Sequence, residues 1–288
     1  MNALVTLVEG ARYQRRFQRY CYPNWAAYAS RYGLDIVVLD KALDTSPRAR
    51  SRSSSWQKCL AVTDARVQKY DQIVWIDSDI VINAQRAPNI FDFFKAEEIA
   101  AVKDFDYPTR EQFRATLESL YRNWDKAGMH YISNLTPEEF YTAFPLPSHS
   151  EVVHCGVIGL SPAKHAHIFR TAYDKYEDKG QPEWNYEMRP LSHEILSSSP
   201  VTWLDHRFNL ILGYVLSAAY PYVMDHSGSL LERVKTRLGM PSTRKKKLKA
   251  VLPEILENAF FLHFAGVQSD MELLNNNPLT SADARQVA

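Results

Sequence analysis

The chain up to residue 83 alternates between short apolar runs and longer amphipathic stretches. Residues 3–8, 36–40 and 72–83 are rich in Val, Ile and Leu, which is typical of buried strands. Between them, residues 13–32 and 56–70 carry the apolar spacing of helices, and Gly33 is a helix stop. Strands separated by helices favour a parallel sheet, because parallel neighbours need a crossover connection. The sequence therefore predicts an α/β fold with a Rossmann-like, mostly parallel central sheet flanked by helices.

Polar residues follow each of these three strands. Glu9-Gly10 comes after the first, Asp40 ends the second, and Asp77-Ser78-Asp79 follows the third. Ligands of such sheets bind outside the carboxyl ends of the strands, so we expect these residues along one edge. No GxGxxG follows the first strand, which argues against the dinucleotide-binding version of the fold.

Later segments extend this pattern. Strands are expected at 99–102, 152–160, 201–204 and 259–264, and helices at 110–145, 163–179 and 191–197. The Ser/Arg-rich residues 46–55 indicate a flexible loop. Residues 208–224 carry no charge and approach membrane-spanning length, but they contain Asn209, Gly213 and Pro221. We interpret them as a buried helix and strand.

Composition narrows the possible functions. Lys and Arg total 34 against 33 Asp and Glu, so charge gives no case for nucleic acid as a partner. The three cysteines include no CxxC pair, which argues against a disulfide scaffold or a zinc knuckle. A reducing compartment fits this usage. Because the first residues also lack the pattern of a signal peptide, we expect a cytoplasmic location.

Asp77 and Asp79 are the strongest candidates for chemistry. They follow the apolar run Ile73-Val74-Trp75-Ile76, and in extended chain side chains two residues apart point the same way. Hard divalent ions such as Mg²⁺ or Mn²⁺ take carboxylate oxygens and complete their shells with substrate phosphates. Two acids at a strand end could also simply be exposed to solvent. The pair alone therefore does not establish a metal site.

His263 lies inside the apolar run Phe260-Phe261-Leu262-His263-Phe264, which ends at Gly266. A histidine in a buried strand is usually a structural residue with a satisfied hydrogen bond. A neutral imidazole is nevertheless a good third ligand for Mn²⁺ beside two carboxylates.

Five segments, in order along the chain, carry a resemblance to a known family. They are WQKCLAV (56–62), YDQIVWIDSDIVI (70–82), HCGVIGL (154–160), WLDHRFN (203–209) and FLHFAG (261–266). This order resembles the galactosyl/mannosyltransferases of the GMA12/MNN10 type. Those enzymes are nucleotide-diphospho-sugar transferases of the glycosyltransferase-A fold.

The resemblance implies a role for each matching position. Asp77, Asp79 and His263 would bind the metal, with Asp77 also near the donor ribose. Further donor contacts would come from residues along the same edge, with Lys58 at the diphosphate: Thr6, Asp40, Trp56, Lys58, Ser78, His154, Gly156 and Gly266. His193 and Glu194 would be the catalytic residues near the anomeric carbon, and Asp205 and Asn209 would shape the acceptor side.

The activity implied is transfer of a hexosyl unit from a nucleoside-diphosphate sugar to a saccharide or glycolipid hydroxyl, with retention and with Mn²⁺ or Mg²⁺ as cofactor. Residues 1–288 would form one domain, with a nucleotide-sugar-binding half (1–105) and an acceptor-binding half (106–288). Two departures stand out: His154 replaces an Asn of the relatives, and Val267-Gln268-Ser269 replaces a segment that offers Lys to the diphosphate.

Alternatives stay open for the whole chain and for single residues. A carbohydrate-binding or scaffolding protein could keep this fold without turnover. A metal-dependent phosphatase is disfavoured, because its DxD belongs on the first strand and here Ile80-Val81 follows. Glu194 could be an exposed helix acid, Lys58 a surface residue, and Asp205 a cap paired with Arg207. The basic run 244–249 could be a solvated face or a peripheral contact with the inner face of the membrane.

Overall fold

A computed structural model of the protein describes residues 1–126, 135–178, 187–224 and 242–276. Its strands form two sheets. The central sheet has the order β2-β1-β3-β6-β5-β7 and is made of β1 (Asn2–Leu7), β2 (Asp35–Leu39), β3 (Gln72–Ile76), β5 (Ile99–Asp104), β6 (Val152–Leu160) and β7 (Val201–Trp203). The small sheet has the order β4-β9-β8 and is made of β4 (Ile80–Ile82), β8 (Leu210–Ile211) and β9 (Phe261–His263).

The central sheet is mostly parallel, as predicted. Only β6 runs against its neighbours, β3 and β5, whereas β1, β2 and β3 are parallel, as are β5 and β7. Ile76 at the end of β3 therefore pairs with Val157 in the middle of β6. The backbone N–H of Asp77 extends this pairing by donating to the Gly156 carbonyl at 2.9 Å. The residues that leave β3 thus pass directly beside the middle of β6.

The stretch predicted as one helix over 13–32 forms two. The first, α1 (Ala11–Tyr20), ends at Cys21, and α2 (Tyr22–Tyr32) begins there. Pro23 lies in the first turn of α2, where its missing N–H costs nothing, but it could not continue α1 without loss of a hydrogen bond. Gly33 ends α2 in the left-handed conformation, with φ 63°, as the helix-stop prediction requires.

Residues 46–70 also differ from prediction. Instead of a loop and one helix, they contain α3 (Pro47–Arg50), a 3₁₀ turn (Ser54–Gln57), α4 (Lys58–Ala61) and α5 (Ala65–Gln68). Arg52 is buried, donates to the Tyr173 carbonyl at 2.8 Å and pairs with Glu177 at 2.9 Å. Arg52 therefore anchors the segment that was expected to be a flexible loop to residues 173–177.

Seven further α-helices lie in the described ranges. They are α6 (Arg110–Lys126), α7 (Pro137–Thr142), α8 (Pro162–Lys175), α9 (Met188–Ser198), α10 (Leu212–Ala219), α11 (Pro221–Met224) and α12 (Thr243–Asn258). Parts of the helices predicted at 110–145 and 163–179 lie outside the described residues. Residues 208–224 form β8, α10 and α11, as a buried strand with helices. Across the described ranges, no helix has both the length and the apolar character needed to cross a bilayer.

Both faces of the sheet are covered by apolar side chains. Alternation along β1 sends Leu4 into a core with Trp25 and Phe261 on one face. On the other face, Ala3 packs in a second core with Trp56. These two cores hold the strands of the central sheet in place. They therefore also position the carboxyl edge of the sheet, which carries the polar residues.

Candidate metal centre

Asp77, Asp79 and His263 meet at the carboxyl edge of β3. One potential ligand atom from each lies within 4.8 Å of the others. The sequence argument expected the two aspartates to converge in extended chain. Instead they occupy the turn between β3 and β4, where the Ile80 N–H donates to the Asp77 carbonyl at 3.2 Å. The turn, rather than strand alternation, brings the carboxylates together.

The small sheet delivers His263 to this turn. Ile80 of β4 pairs with His263 of β9, and the Phe264 N–H donates to the Asp79 carbonyl at 3.0 Å. The His263 Nε2 consequently lies 3.2 Å from Asp79 Oδ1. A residue far along the chain is thus placed beside the turn by backbone pairing.

A hydrogen-bond relay fixes the protonation of His263. The backbone N–H of Gly156 can only donate, and it donates to His154 Nδ1 at 3.2 Å, so this nitrogen is an acceptor. Asn209 therefore turns its amide NH₂ toward His154 Nδ1, at 2.6 Å, and its Oδ1 toward His263 Nδ1, at 2.9 Å. It follows that His263 carries a proton on Nδ1 and directs Nε2 at the aspartates.

Gly156 makes room for this arrangement. A Cβ at this position would lie 2.8 Å from Cε1 of His263, 2.9 Å from its Nδ1 and 3.1 Å from Asn209 Oδ1. The imidazole therefore packs directly against the β6 backbone, and only glycine permits that approach. The His-Cys-Gly segment of the sequence thus supplies both the acceptor and the space for the relay.

Asp77 is surrounded by donors. Lys58 Nζ lies 3.0 Å from Asp77 Oδ1, 2.8 Å from Glu187 Oε1 and 3.1 Å from the Cys155 carbonyl. Trp75 Nε1 donates to Asp77 Oδ1 at 2.9 Å. Burial raises the pKa of Asp77, with the Lys58 charge opposing that effect. The ammonium, itself buried, is shared by two carboxylates.

Asp79 has a different environment. Gln268 Nε2 donates to its Oδ2 at 3.0 Å. Burial alone would raise the pKa of Asp79, but His263 and these hydrogen bonds lower it to about 2. The pKa of His263 is raised, because Asp79 outweighs the burial of the ring. Asp79 and His263 therefore form an ion pair through the atoms that would face a cation.

This donor set suits a divalent ion. Two carboxylates and an imidazole whose Nε2 faces them can supply three ligands, and Asn209 holds the other ring nitrogen as ligating histidines require. Binding an ion there would displace the proton that His263 shares with Asp79. Among described residues, this is the only group of three or more His, Cys, Asp or Glu close enough to hold a metal.

Two predicted donor-side residues have buried polar atoms without a partner. Thr6 Oγ1 and Trp56 Nε1 make no hydrogen bond with the described residues. Buried polar groups are nearly always hydrogen-bonded, so these two atoms are candidates to bind a ligand. Asp40 is exposed, Gly266 has φ 71°, and the Ser78 carbonyl accepts from the Cys21 thiol at 3.3 Å.

The predicted catalytic residues, His193 and Glu194, lie along α9. Glu194 pairs with Lys175 at 2.9 Å and accepts from the Tyr176 hydroxyl at 2.5 Å, while His193 Nδ1 lies 2.9 Å from His149 Nε2. The hydroxyl of the neighbouring Ser192 accepts from the backbone N–H of Val153, which lies three residues before Gly156 on β6. The structure brings neither residue into contact with the three candidate ligands.

On the predicted acceptor side, Asn209 belongs to the relay. Asp205 caps the 3₁₀ turn His206–Asn209 and pairs with Arg207 at 2.8 Å, as its structural interpretation expects. A small cavity borders the relay, and its lining includes Asp104, Tyr107, His154, His206, Asn209 and Tyr214. Asp104 is buried there, and burial raises its pKa to about 6.

Sequence reasoning missed Trp75, Glu187 and Gln268. The contact of Trp75 could have been predicted, because Trp75 precedes Asp77 by two residues and side chains at that spacing in a strand point the same way. Glu187 sits just before α9, at a place where the sequence gives no sign that an acid is buried. Gln268 occupies the segment where the resemblance expected Lys, and its amide binds Asp79 directly.

Comparison with known proteins supports the fold. No protein-family profile and no curated protein matches the sequence. A crystal structure of a glycosyltransferase involved in glycosylation of the major capsid of PBCV-1 is similar, with a TM-score of 0.50 and 12% identity over 94% of this chain and 99% of that one. Galactosyltransferase LgtC in complex with donor and acceptor sugar analogs has a TM-score of 0.45, 12% identity and 95% coverage of both chains. GlyE of Streptococcus pneumoniae TIGR4 has a TM-score of 0.45 and 13% identity over 91% of this chain and 55% of its own. The chain thus has a mixed α/β fold similar to that of the PBCV-1 capsid glycosyltransferase.

Proposed function

We propose that the protein is a metal-dependent glycosyltransferase that moves a hexosyl unit from a nucleoside-diphosphate sugar to a saccharide or glycolipid hydroxyl. The observation that carries this proposal is the Asp77–Asp79–His263 cluster at the ligand-binding edge of such a fold. Mn²⁺ is the favoured ion over Mg²⁺, because one ligand is an imidazole. When bound, the ion would neutralise the charge that develops on the departing diphosphate.

The protein's own residues prepare the site in two ways. Asn209 and His154 keep a proton on Nδ1 of His263 and so direct Nε2 at the aspartates. Lys58 offsets the cost of a buried, ionised Asp77. Lys58 therefore supports the metal centre, and its three acceptors in the structure favour this role over the diphosphate contact expected from the resemblance.

Donor and acceptor would approach the cluster from its two sides. Thr6, Asp40, Trp56, Ser78 and Gly266 are the proposed donor contacts, and the unpartnered atoms of Thr6 and Trp56 support this. The acceptor would approach on the side of Asn209, next to the small cavity. The division into a donor half (1–105) and an acceptor half (106–288) of one domain is part of the same proposal.

Retention of anomeric configuration, with the leaving phosphate taking the acceptor proton, completes the proposed reaction. His193 and Glu194 stay the proposed catalytic residues, although Glu187 is the α9-side carboxylate that touches the Lys58–Asp77 pair. The reducing cytoplasm is the proposed compartment, supported by Cys21, Cys59 and Cys155 as buried free thiols.

The test is a thermal-shift screen of nucleoside diphosphates and nucleotide sugars with and without Mn²⁺, followed by detection of transfer or donor hydrolysis. We expect stabilisation only with metal, and loss of it in Asp79→Ala. Asp71→Ala is the control, because Asp71 is exposed and pairs with the N-terminus. No metal-dependent stabilisation by any nucleotide would contradict the proposal. Donor binding without transfer or hydrolysis would favour the carbohydrate-binding alternative.

A further inference from the structure

A row of arginines covers the exposed side of α1. The helix contains four arginines and no acidic residue. Arg12, Arg16 and Arg19 follow at spacings of four and three residues, so they share one face, whereas Phe17 and Tyr20 are buried. Within the described ranges, Arg12, Arg15 and Arg16 form no ion pair or hydrogen bond. Arg12 and Arg15 are exposed and Arg16 is half-buried, so positive charge on this helix is available to an external partner.

The basic run on α12 and this row of arginines share one packing neighbour. The 3₁₀ helix Gln268–Asn276 packs against both α1 and α12. Its acids are already paired, Asp270 with Arg244 at 2.7 Å and Glu272 with Lys245 at 3.4 Å. Lys246 and Lys249 are exposed and have no acidic partner in the part of the chain that the structure describes. We call Arg12, Arg15, Arg16, Lys246 and Lys249 the basic face.

Exposed tyrosines border the basic face. Tyr13 on α1 is 48% exposed, and Tyr22 at the start of α2 is 37% exposed. Tyr222 is 51% exposed, and its carbonyl accepts from Lys247 of α12 at 3.0 Å. Tyrosine rings beside basic residues are typical of surfaces that sit at the headgroup layer of a bilayer.

We propose that the basic face binds the surface of an anionic lipid bilayer. The chain as a whole has a net charge of only +1, so the basic face is a local concentration of charge rather than a general property. The tyrosines favour a bilayer over a soluble polyanion, because their rings gain from partial burial among lipid headgroups. The run 244–249 contributes only part of this surface, since Arg244 and Lys245 are used within the fold.

The basic face also adjoins the candidate metal centre. Gln268, the first residue of the bridging 3₁₀ helix, donates to Asp79. A bilayer held against α1 and α12 would therefore lie near the site, which suits a lipid-linked acceptor. That last clause rests on the proposed function, whereas bilayer binding itself does not.

Flotation of the full chain with vesicles tests the proposal. Vesicles of phosphatidylcholine alone are compared with vesicles that also contain phosphatidylglycerol, at low and high salt. We expect binding only to the anionic vesicles and release by salt. The triple variant Arg12→Gln, Arg15→Gln, Arg16→Gln should bind about 100-fold more weakly, since each basic residue at an anionic surface contributes about five-fold.

The matched control removes the same charge elsewhere, by Arg66→Gln, Arg114→Gln and Arg170→Gln, which are exposed and paired with acids. It should bind vesicles like the parent chain. Equal binding by the triple variant, or no binding of the parent chain to anionic vesicles, would overturn the proposal. Retention on a soluble acidic polysaccharide without vesicle binding would also overturn it. Flotation is measured without nucleotide or added metal, so failure here is distinguishable from failure of the proposed function.

Discussion

The Nδ1 atom of His263 lies 2.9 Å from the Oδ1 atom of Asn209, and this contact decides which nitrogen of the ring faces the candidate metal centre. The direction of the amide is set in turn by His154 and by a backbone N–H that can only donate. The protonation of a side chain from β9 is thus determined by the backbone of β6.

Asn209→Ala should weaken Mn²⁺ binding by about 10- to 100-fold, because a ligating histidine that loses its outer hydrogen bond loses orientation and basicity. Calorimetric titration with Mn²⁺ measures this. Asn258→Ala is the matched control, since its exposed amide donates to a carbonyl in α12. Unchanged affinity in Asn209→Ala would show that the relay does not serve metal binding.

Gly156→Ala should displace His263, because the new methyl group would lie 2.8 Å from its Cε1. We expect Mn²⁺ affinity to fall and the protein to lose about 1–3 kcal/mol of unfolding free energy through overpacking. Gly213→Ala is the control: its methyl group would meet Leu120 at 3.9 Å, and alanine inside α10 should add about 0.4–1 kcal/mol. Urea unfolding and metal titration of both variants check the contrast, and equal behaviour would refute it.

Lys58→Met should cost about 3–5 kcal/mol of unfolding free energy, because it leaves Asp77 and the buried Glu187 without their shared cation. Urea unfolding measures the loss. The double variant Lys58→Met, Glu187→Leu should recover part of it, since one uncompensated carboxylate is removed. A single variant as stable as the parent would mean that the ammonium does not offset burial of the two acids.

Asp104→Asn should stabilise the protein at neutral pH and lose that advantage in acid. The folded pKa of Asp104 is raised from 3.8 to about 6, so its contribution to stability is fully present below about pH 4 and is lost as the pH rises through 6. At pH 7 the ionised, buried group costs roughly 2–3 kcal/mol relative to its neutral form. Urea midpoints of parent and variant from pH 7 down to 4 should therefore converge. A constant gap between parent and Asp104→Asn across this pH range would refute the interpretation.

The sequence predicted the central sheet well because apolar runs such as Ile73–Ile76 have no alternative to burial in this sheet. It also identified all three candidate ligands. It placed the aspartates in extended chain, however, although Asp and Ser favour turns, and the structure has a turn at Ser78 that leads into β4. The break between α1 and α2 at Cys21 could have been predicted from Pro23. The pairing of Lys58 with Glu187 could not. Such contacts between distant residues leave no periodic signal.

The Gln268–Asp79 contact spans 189 residues of chain. His263 on β9 is synthesised long after the two aspartates, and domains fold as units. The site is therefore complete only when β9 has been made. Metal binding would then indicate that nearly the whole fold is complete. A chain that ends before β9 would have both aspartates but would lack the histidine ligand.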